Sequence, residues 1–105
     1  MIEQLAPDDF DRRVLQSTIP VLLSFGGDHC GSCRLLEPVL EEILHVLDGV
    51  MVVYKLNVLE CAELANRLGI MALPTISLFR QGHEVSRLVG FQNRERLLEV
   101  VQRVK

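Results

Sequence analysis

Cys30-Gly31-Ser32-Cys33 is the segment with the clearest chemical capacity. Two thiols at this spacing can cycle between dithiol and disulfide, or supply half of a metal site. The elements around them discriminate. Upstream, Val21-Leu22-Leu23-Ser24-Phe25 is an almost continuously apolar run, which suits a strand buried on both faces. Downstream, from Ser32 to about Asp48, the period becomes helical. The cysteine pair therefore stands where a buried strand hands over to a long helix. The first turn of a helix has unpaired N–H groups and the positive end of the macrodipole. A thiolate at Cys30 is stabilised there, and its nucleophilic fraction rises. Cys33 lies one turn further in, on the same side and within reach for a disulfide. This arrangement makes Cys30 the exposed attacking sulfur and Cys33 the more buried resolver. Gly31 permits the tight backbone, and Ser32 suits an early helical position.

The other candidate ligands and nucleophiles do not gather into a second motif. A zinc site needs about four ligands, usually with a second paired knuckle. Cys61, His29, His45 and His83 remain, and none is paired at ligand spacing. Two incidental packing thiols would not explain a pair at a helix start. His29 has two readings: a protonated imidazole that stabilises a Cys30 thiolate, or a solvated side chain. His45 and His83 read as surface residues. Cys61 reads as a small packing residue, with regulatory oxidation or dimerisation as the other option. Asp28 and Arg34 flank the pair as surface charges.

The elements that must position the pair follow from periodicity. Ile2 to Leu5 is weakly strand-like. Pro7 and Asp8 start a short first helix, with Asp8 as N-cap and Phe10, Val14 and Leu15 at helical spacing. Gly26 and Gly27 end the strand after Pro20. The long helix carries a stripe of Leu36, Leu40, Ile43 and Leu47, widened by Leu35, Val39 and Val46, opposite Glu37, Glu41 and Glu42. Pro38 lies inside it, so a kink is expected, and Gly49 is the stop. Val50 to Val58 is a second central strand. Cys61 to Leu68 is a short helix ended by Gly69. Thr75 to Phe79 is a strand after Pro74, and Gln81-Gly82 turns it into His83 to Val89. Gly90 breaks that strand. Asn93 caps a last helix with Leu97, Val101 and Val104 in its stripe and Leu98 and Val100 alongside. The order is β-α-β-α-β-α-β-β-α. Helical crossovers imply a parallel first half, and the tight turn implies a closing antiparallel hairpin. The expected fold class is α/β, a central mixed sheet with helices on both faces.

Composition narrows the function classes. The 105 residues make one domain, 1–105, without linker or repeat. Hydrophobic residues are 49% and charged residues 24%, an ordinary globular mix that excludes collagen-like and disordered classes. The formal net charge of -3 argues against a nucleic-acid partner, which needs a basic face. No apolar run approaches the ~20 residues of a membrane span. Glu3, Asp8 and Asp9 occupy the N-terminus without an apolar signal core, so a cytoplasmic location is expected.

Several ordered segments resemble the thioredoxin family, and the resemblance covers nearly the whole chain. Val21-Leu22-Leu23-Ser24-Phe25 resembles the central strand before the family's active site. His29-Cys30-Gly31-Ser32-Cys33-Arg34 resembles its Trp-Cys-Gly-Pro-Cys-Lys. Pro38 falls at the helix-kinking proline, and Lys55-Leu56-Asn57-Val58 resembles the next strand. Gly69-Ile70-Met71-Ala72-Leu73-Pro74-Thr75 resembles the segment holding a cis-proline beside the active site. Phe79-Arg80-Gln81-Gly82 and Val89-Gly90 match the hairpin and the glycine after it. The resemblance implies a thioredoxin fold and a thiol–disulfide oxidoreductase: Cys30 attacks a substrate disulfide, and Cys33 resolves the mixed disulfide. It implies that Pro74 is cis and packs against the sulfurs, with Leu73, Pro74 and Gly90 receiving substrate. A proline lowers the cost of a cis bond. Its missing N–H leaves the preceding backbone free to pair with an extended segment.

Four positions depart from the family pattern. Ser32 replaces a proline, His29 and Gly26 replace tryptophans, and Ser24 replaces a buried aspartate that helps move the resolver's proton. With that aspartate gone, Lys55 lacks its family partner and is expected to turn toward solvent. The leading reading is reduction of protein disulfides by a monomer with no tightly bound cofactor. Its electrons would come from a thioredoxin-reductase-like protein, an NADPH-linked flavoenzyme by resemblance. The alternative is a thioredoxin-fold binding module with weak or specialised redox activity. A third reading is a metal or iron–sulfur site bridged through Cys30 and Cys33.

Overall fold

The computed structural model describes residues 2–105. Five strands, β1 (Glu3–Gln4), β2 (Val21–Gly26), β3 (Val52–Asn57), β4 (Thr75–Arg80) and β5 (His83–Val89), form one sheet in the order β1-β3-β2-β4-β5. β1, β3 and β2 run parallel; β4 is antiparallel to β2, and β5 to β4. The helices are α1 (Gly31–Val46), α2 (Ala62–Arg67) and α3 (Arg94–Val104). No helix among the described residues is long and apolar enough to cross a membrane.

The alternation of the strands sorts the core into two layers. Leu22, Val53, Ile76 and Leu78 pack with Leu36, Leu40 and Ile43 of α1 and Leu97, Val100 and Val101 of α3. Val21, Leu23, Phe25, Tyr54, Leu56 and Phe79 face the other way, onto Phe10, Val14 and Leu64 of α2. Helices therefore cover both faces, as expected. Leu22, Leu23 and Phe25 have 0% exposure, and burial of such side chains contributes about 1.5–3 kcal/mol each. That packing from both sides fixes the end of β2, where Gly26 leads toward the cysteines.

Local differences from the expected elements have identifiable causes. The first helix is a 3₁₀ turn over Pro7–Asp9 followed by a π-helical turn over Asp11–Leu15. Asp8 is not its N-cap. Pro7 occupies the first helical position, which moves the cap to Ala6, and no side chain bonds there. The neighbouring Asp9 pairs instead with Arg12 at 2.9 Å. Leu36, Leu40 and Ile43 of α1 and its C-cap Leu47 are buried, but Leu35 and Val46, expected to widen the stripe, are 65% and 57% exposed. One sheet face and one neighbouring helix cover only a narrow sector of α1. β1 and β3 are shorter than the apolar runs, although single backbone bonds continue past their ends, from the Leu5 N–H to the Lys55 carbonyl at 2.9 Å and from the Val58 N–H to the Gly26 carbonyl at 3.0 Å. The Gln81-Gly82 turn, with both residues at positive φ, has the backbone of a tight hairpin connection. Asn93 caps α3 as expected, accepting from the Arg96 N–H at 2.8 Å, a bond worth about 1 kcal/mol.

Candidate active site

Cys30 is the N-cap residue of α1 in extended conformation. Its Sγ accepts a hydrogen bond from the Cys33 backbone N–H at 3.2 Å. The Ser32 Oγ lies 3.5 Å from the same sulfur. Cys30 and Cys33 are joined as a disulfide with a Cα separation of 5.2 Å, within the range a bridge requires. The sulfur thus occupies the place of a capping oxygen, and reduction would leave a thiolate facing an N–H and a hydroxyl. Both cysteines are half-buried. What separates them is position: Cys30 sits outside the first turn, whereas Cys33 lies in it, against the end of β2. A side chain at Gly26 would place its Cβ 3.5 Å from the Cys33 Sγ.

Beneath Cys33 opens a cavity of about 300 Å³. Ser24, Asp28, Cys33, Glu37, Lys55 and Asn57 are among the residues that line it, as is Arg34. Ser24 is 8% exposed and makes no side-chain hydrogen bond among the described residues. Lys55 stands directly opposite Ser24 in the β2–β3 register. The missing aspartate led to the expectation that Lys55 would lack a carboxylate partner, but the side chain, 39% exposed, is paired. Its Nζ donates to the Glu37 Oε1 at 2.8 Å. α1 supplies the carboxylate that β2 lacks. The Asp28 carboxylate is engaged elsewhere, accepting from the Asn57 Nδ2 at 2.7 Å.

The second segment of the site is the loop that leads into β4. The Leu73–Pro74 peptide is cis. Gly27 tucks under Leu73, whose Cδ1 lies 3.1 Å from where a Cβ on that glycine would be. The Gly90 N–H donates to the Pro74 carbonyl at 2.8 Å, and Gly90 has φ +89°, a conformation that favours glycine. Thr75 ties the loop further by donating its hydroxyl to the Ala72 carbonyl at 2.6 Å. Arg87 of β5 anchors the preceding segment, donating to the Leu68 and Gly69 carbonyls at 2.6 and 3.2 Å. Glu84 holds that guanidinium in turn. Burial alone would raise the Glu84 carboxyl, but hydrogen bonds from Arg87 and Ser77 and the charge of Arg87 outweigh it and hold the group below the ordinary carboxylate range.

Ser24, Gly26, Cys30, Gly31, Ser32 and Cys33 thus share the junction of β2 and α1, with Leu73 meeting it at Gly27. His29 is exposed and makes no hydrogen bond among the described residues. Cys61 is 4% exposed and its thiol donates to the Asn57 carbonyl at 3.2 Å. Burial and the nearby Glu60 push that thiol up from its ordinary value, which leaves it a packing residue. Two groups escaped the sequence reading. Glu37 was placed only on the polar side of α1, yet its spacing of one helical turn from Cys33 was a usable signal. Met71, 95% exposed just before the cis-proline, carried no signal apart from its neighbours.

No group of three or more His, Cys, Asp or Glu among the described residues is placed to hold a metal ion. Comparison with known proteins points the same way as the dithiol geometry. The thioredoxin family model matches residues 1–103. The chain is 33% identical over 103 residues to thioredoxin of Rickettsia felis, covering 98% of both chains. It is 41% identical over 86 residues to thioredoxin of Alicyclobacillus acidocaldarius, covering 82% of each. To probable thioredoxin-2 of Caenorhabditis elegans it is 36% identical over 97 residues, or 92% of this chain and 67% of that protein. Full-length similarity and a cysteine pair seated at the start of α1 lead to one conclusion: the chain belongs to the thioredoxin family and is a thiol–disulfide oxidoreductase.

Proposed function

We propose that this oxidoreductase works as a reductant of protein disulfides, a single thioredoxin-like unit over residues 1–105 with Cys30 as nucleophile and Cys33 as resolver. The observation that carries the assignment is the Cys33 N–H directed at the Cys30 Sγ at 3.2 Å. A thiolate at Cys30 receives a charge-assisted hydrogen bond and the positive end of α1. It attacks one sulfur of a substrate disulfide and releases the other as a thiolate. Cys33 then attacks the Cys30 Sγ of the mixed disulfide, which frees the substrate and closes the Cys30–Cys33 bond. His29, Gly31, Ser32, Ser24 and Pro74 support this centre.

Leu73, Pro74 and Gly90 form the receiving edge. No hydrogen bond among the described residues engages the backbone of Leu73, so an extended substrate segment can pair with it. The exposed Met71, Val89 and Phe91 supply apolar surface for such a segment. Reduction in the cytoplasm fits a dithiol in a reducing compartment. The working form is a monomer without a tightly bound cofactor, recharged by an NADPH-linked flavoenzyme of the thioredoxin-reductase kind.

The test is insulin reduction followed by turbidity with dithiothreitol. Cys30→Ser abolishes the activity, and Cys33→Ser accumulates covalent mixed disulfides through Cys30. Near-normal activity in Cys30→Ser, or traps formed through Cys61, would overturn the assignment.

A further inference from the structure

We propose that Glu37 is the proton acceptor for Cys33 in the resolving step, acting through water in the cavity beneath the cysteine pair. The inference rests on the resolver role of Cys33 proposed above. Cys33 must become a thiolate before it can attack, and the strand beneath it offers only the Ser24 hydroxyl. A serine can hold or orient a water, but at neutral pH it is not a base. Glu37 lies four residues after Cys33 on α1, so the two side chains are neighbours on one helix face. Both line the same cavity of about 300 Å³. A water occupies about 30 Å³ in the liquid, so the space admits several, and Ser24, Lys55 and Asn57 give them polar partners.

The remaining charges around this cavity are accounted for. Lys55, from β3, donates to the Glu37 Oε1 at 2.8 Å, and both side chains line the cavity. Asp28 accepts from Asn57 at 2.7 Å, and Arg34 donates to the Asp28 carbonyl at 3.2 Å. Glu41, one turn beyond Glu37, accepts from the Ile2 N–H at 3.2 Å, away from the cysteines. Glu37 is therefore the carboxylate that shares both a helix face and a cavity with Cys33. Its side chain is also 48% exposed, so an acquired proton can leave to solvent.

The step balances without any other reactant. The Cys33 S–H proton passes through water to the Glu37 carboxylate, and the Cys33 thiolate attacks the Cys30 Sγ. The Cys33–Cys30 bond forms as the Cys30–substrate bond breaks. The substrate sulfur leaves as a thiolate and takes a proton from solvent or from the Glu37 carboxyl. The dithiol is oxidised by two electrons, and the substrate disulfide is reduced by the same two.

Stopped-flow reduction of an aromatic nitrobenzoate disulfide, with reduced protein in excess, separates the two steps. Attack by Cys30 releases the first coloured thiolate at a rate that rises with protein concentration. Resolution by Cys33 releases the second at a rate that does not. Glu37→Gln should leave the first phase unchanged and slow the second about tenfold or more near neutrality, at the low end of general-base effects. Its second phase should climb steadily with pH, where the unmodified protein changes little. Glu37→Asp should recover part of the rate, and Asp28→Asn should keep it. Loss of the Lys55 ion pair alone would lower stability without changing the pH profile. An unchanged second phase and pH profile in folded Glu37→Gln overturns the proposal, as does an equal loss in Asp28→Asn. Failure of the unmodified protein to release a second thiolate would instead overturn the resolver role of Cys33.

Discussion

Replacing Ser24 by aspartate puts a carboxylate directly under Cys33, and the structure sets both its benefit and its cost. Position 24 is 8% exposed, on the central strand and opposite Lys55. Burial raises the pKa of a carboxyl there, and the attraction of Lys55, already shared with Glu37, only partly opposes the rise. A net rise of about two pH units costs about 2.7 kcal/mol once the group must ionise, at 1.36 kcal/mol per unit. The sign follows from an acid whose folded pKa lies above its unfolded one. The penalty is absent below the unfolded value of about 3.9, grows as pH rises toward the raised folded value, and is complete above it. A domain with about 5–15 kcal/mol of stability still folds. Urea melts of Ser24→Asp and the parent at pH 4 and pH 8 should therefore show a small difference in acid and about 1–3 kcal/mol in base. In the Glu37→Gln background, Ser24→Asp should restore fast resolution, because a second carboxylate then faces the same cavity. A penalty of equal size at both pH values would refute the burial argument. A folded double variant that stays slow would refute the idea that a carboxylate in this cavity serves Cys33.

Three further outcomes are expected. Ser32→Pro removes the hydroxyl 3.5 Å from the Cys30 sulfur, which favours the reduced form, and should make the pair more reducing by about 30 mV or more, a tenfold change in equilibrium; matched redox titrations check it. Cys61→Ser should leave insulin reduction within about twofold while costing about 1 kcal/mol in denaturant melts, since a hydroxyl can keep the bond to the Asn57 carbonyl but is poorly suited to an apolar site. Glu84→Gln should cost about 1.5 kcal/mol at neutral pH through the weakened hold on Arg87. Because the folded Glu84 carboxyl lies below its ordinary value of 4.5, its contribution is complete above that pH and is lost as pH falls through the folded value. The acid limb of a melting series should therefore flatten in the variant, and an unchanged limb would count against a stabilising role for the Glu84–Arg87 pair.

The elements were legible because their signals are local. The buried run at Val21–Phe25 sets a central strand, the stripe at Leu36, Leu40 and Ile43 sets α1, and Gln81-Gly82 sets the hairpin. Each depends on side-chain periodicity or backbone freedom within a few residues. The cysteine pair was legible for the same reason, since its chemistry comes from the start of the helix that follows it. The first helix was misread because a proline at its first position displaced the cap from Asp8 to Ala6. What surrounds the sulfurs was decided by tertiary structure. Gly26 meets Cys33, Leu73 meets Gly27, and Gly90 bonds Pro74 only after distant segments have paired in the sheet. The fate of Lys55 shows the limit most clearly. The sequence by itself determined that the carboxylate of position 24 was missing. Only the packing of α1 across β2 and β3 could bring Glu37 to that lysine, because an ion pair is set by distance in space and not by spacing along the chain.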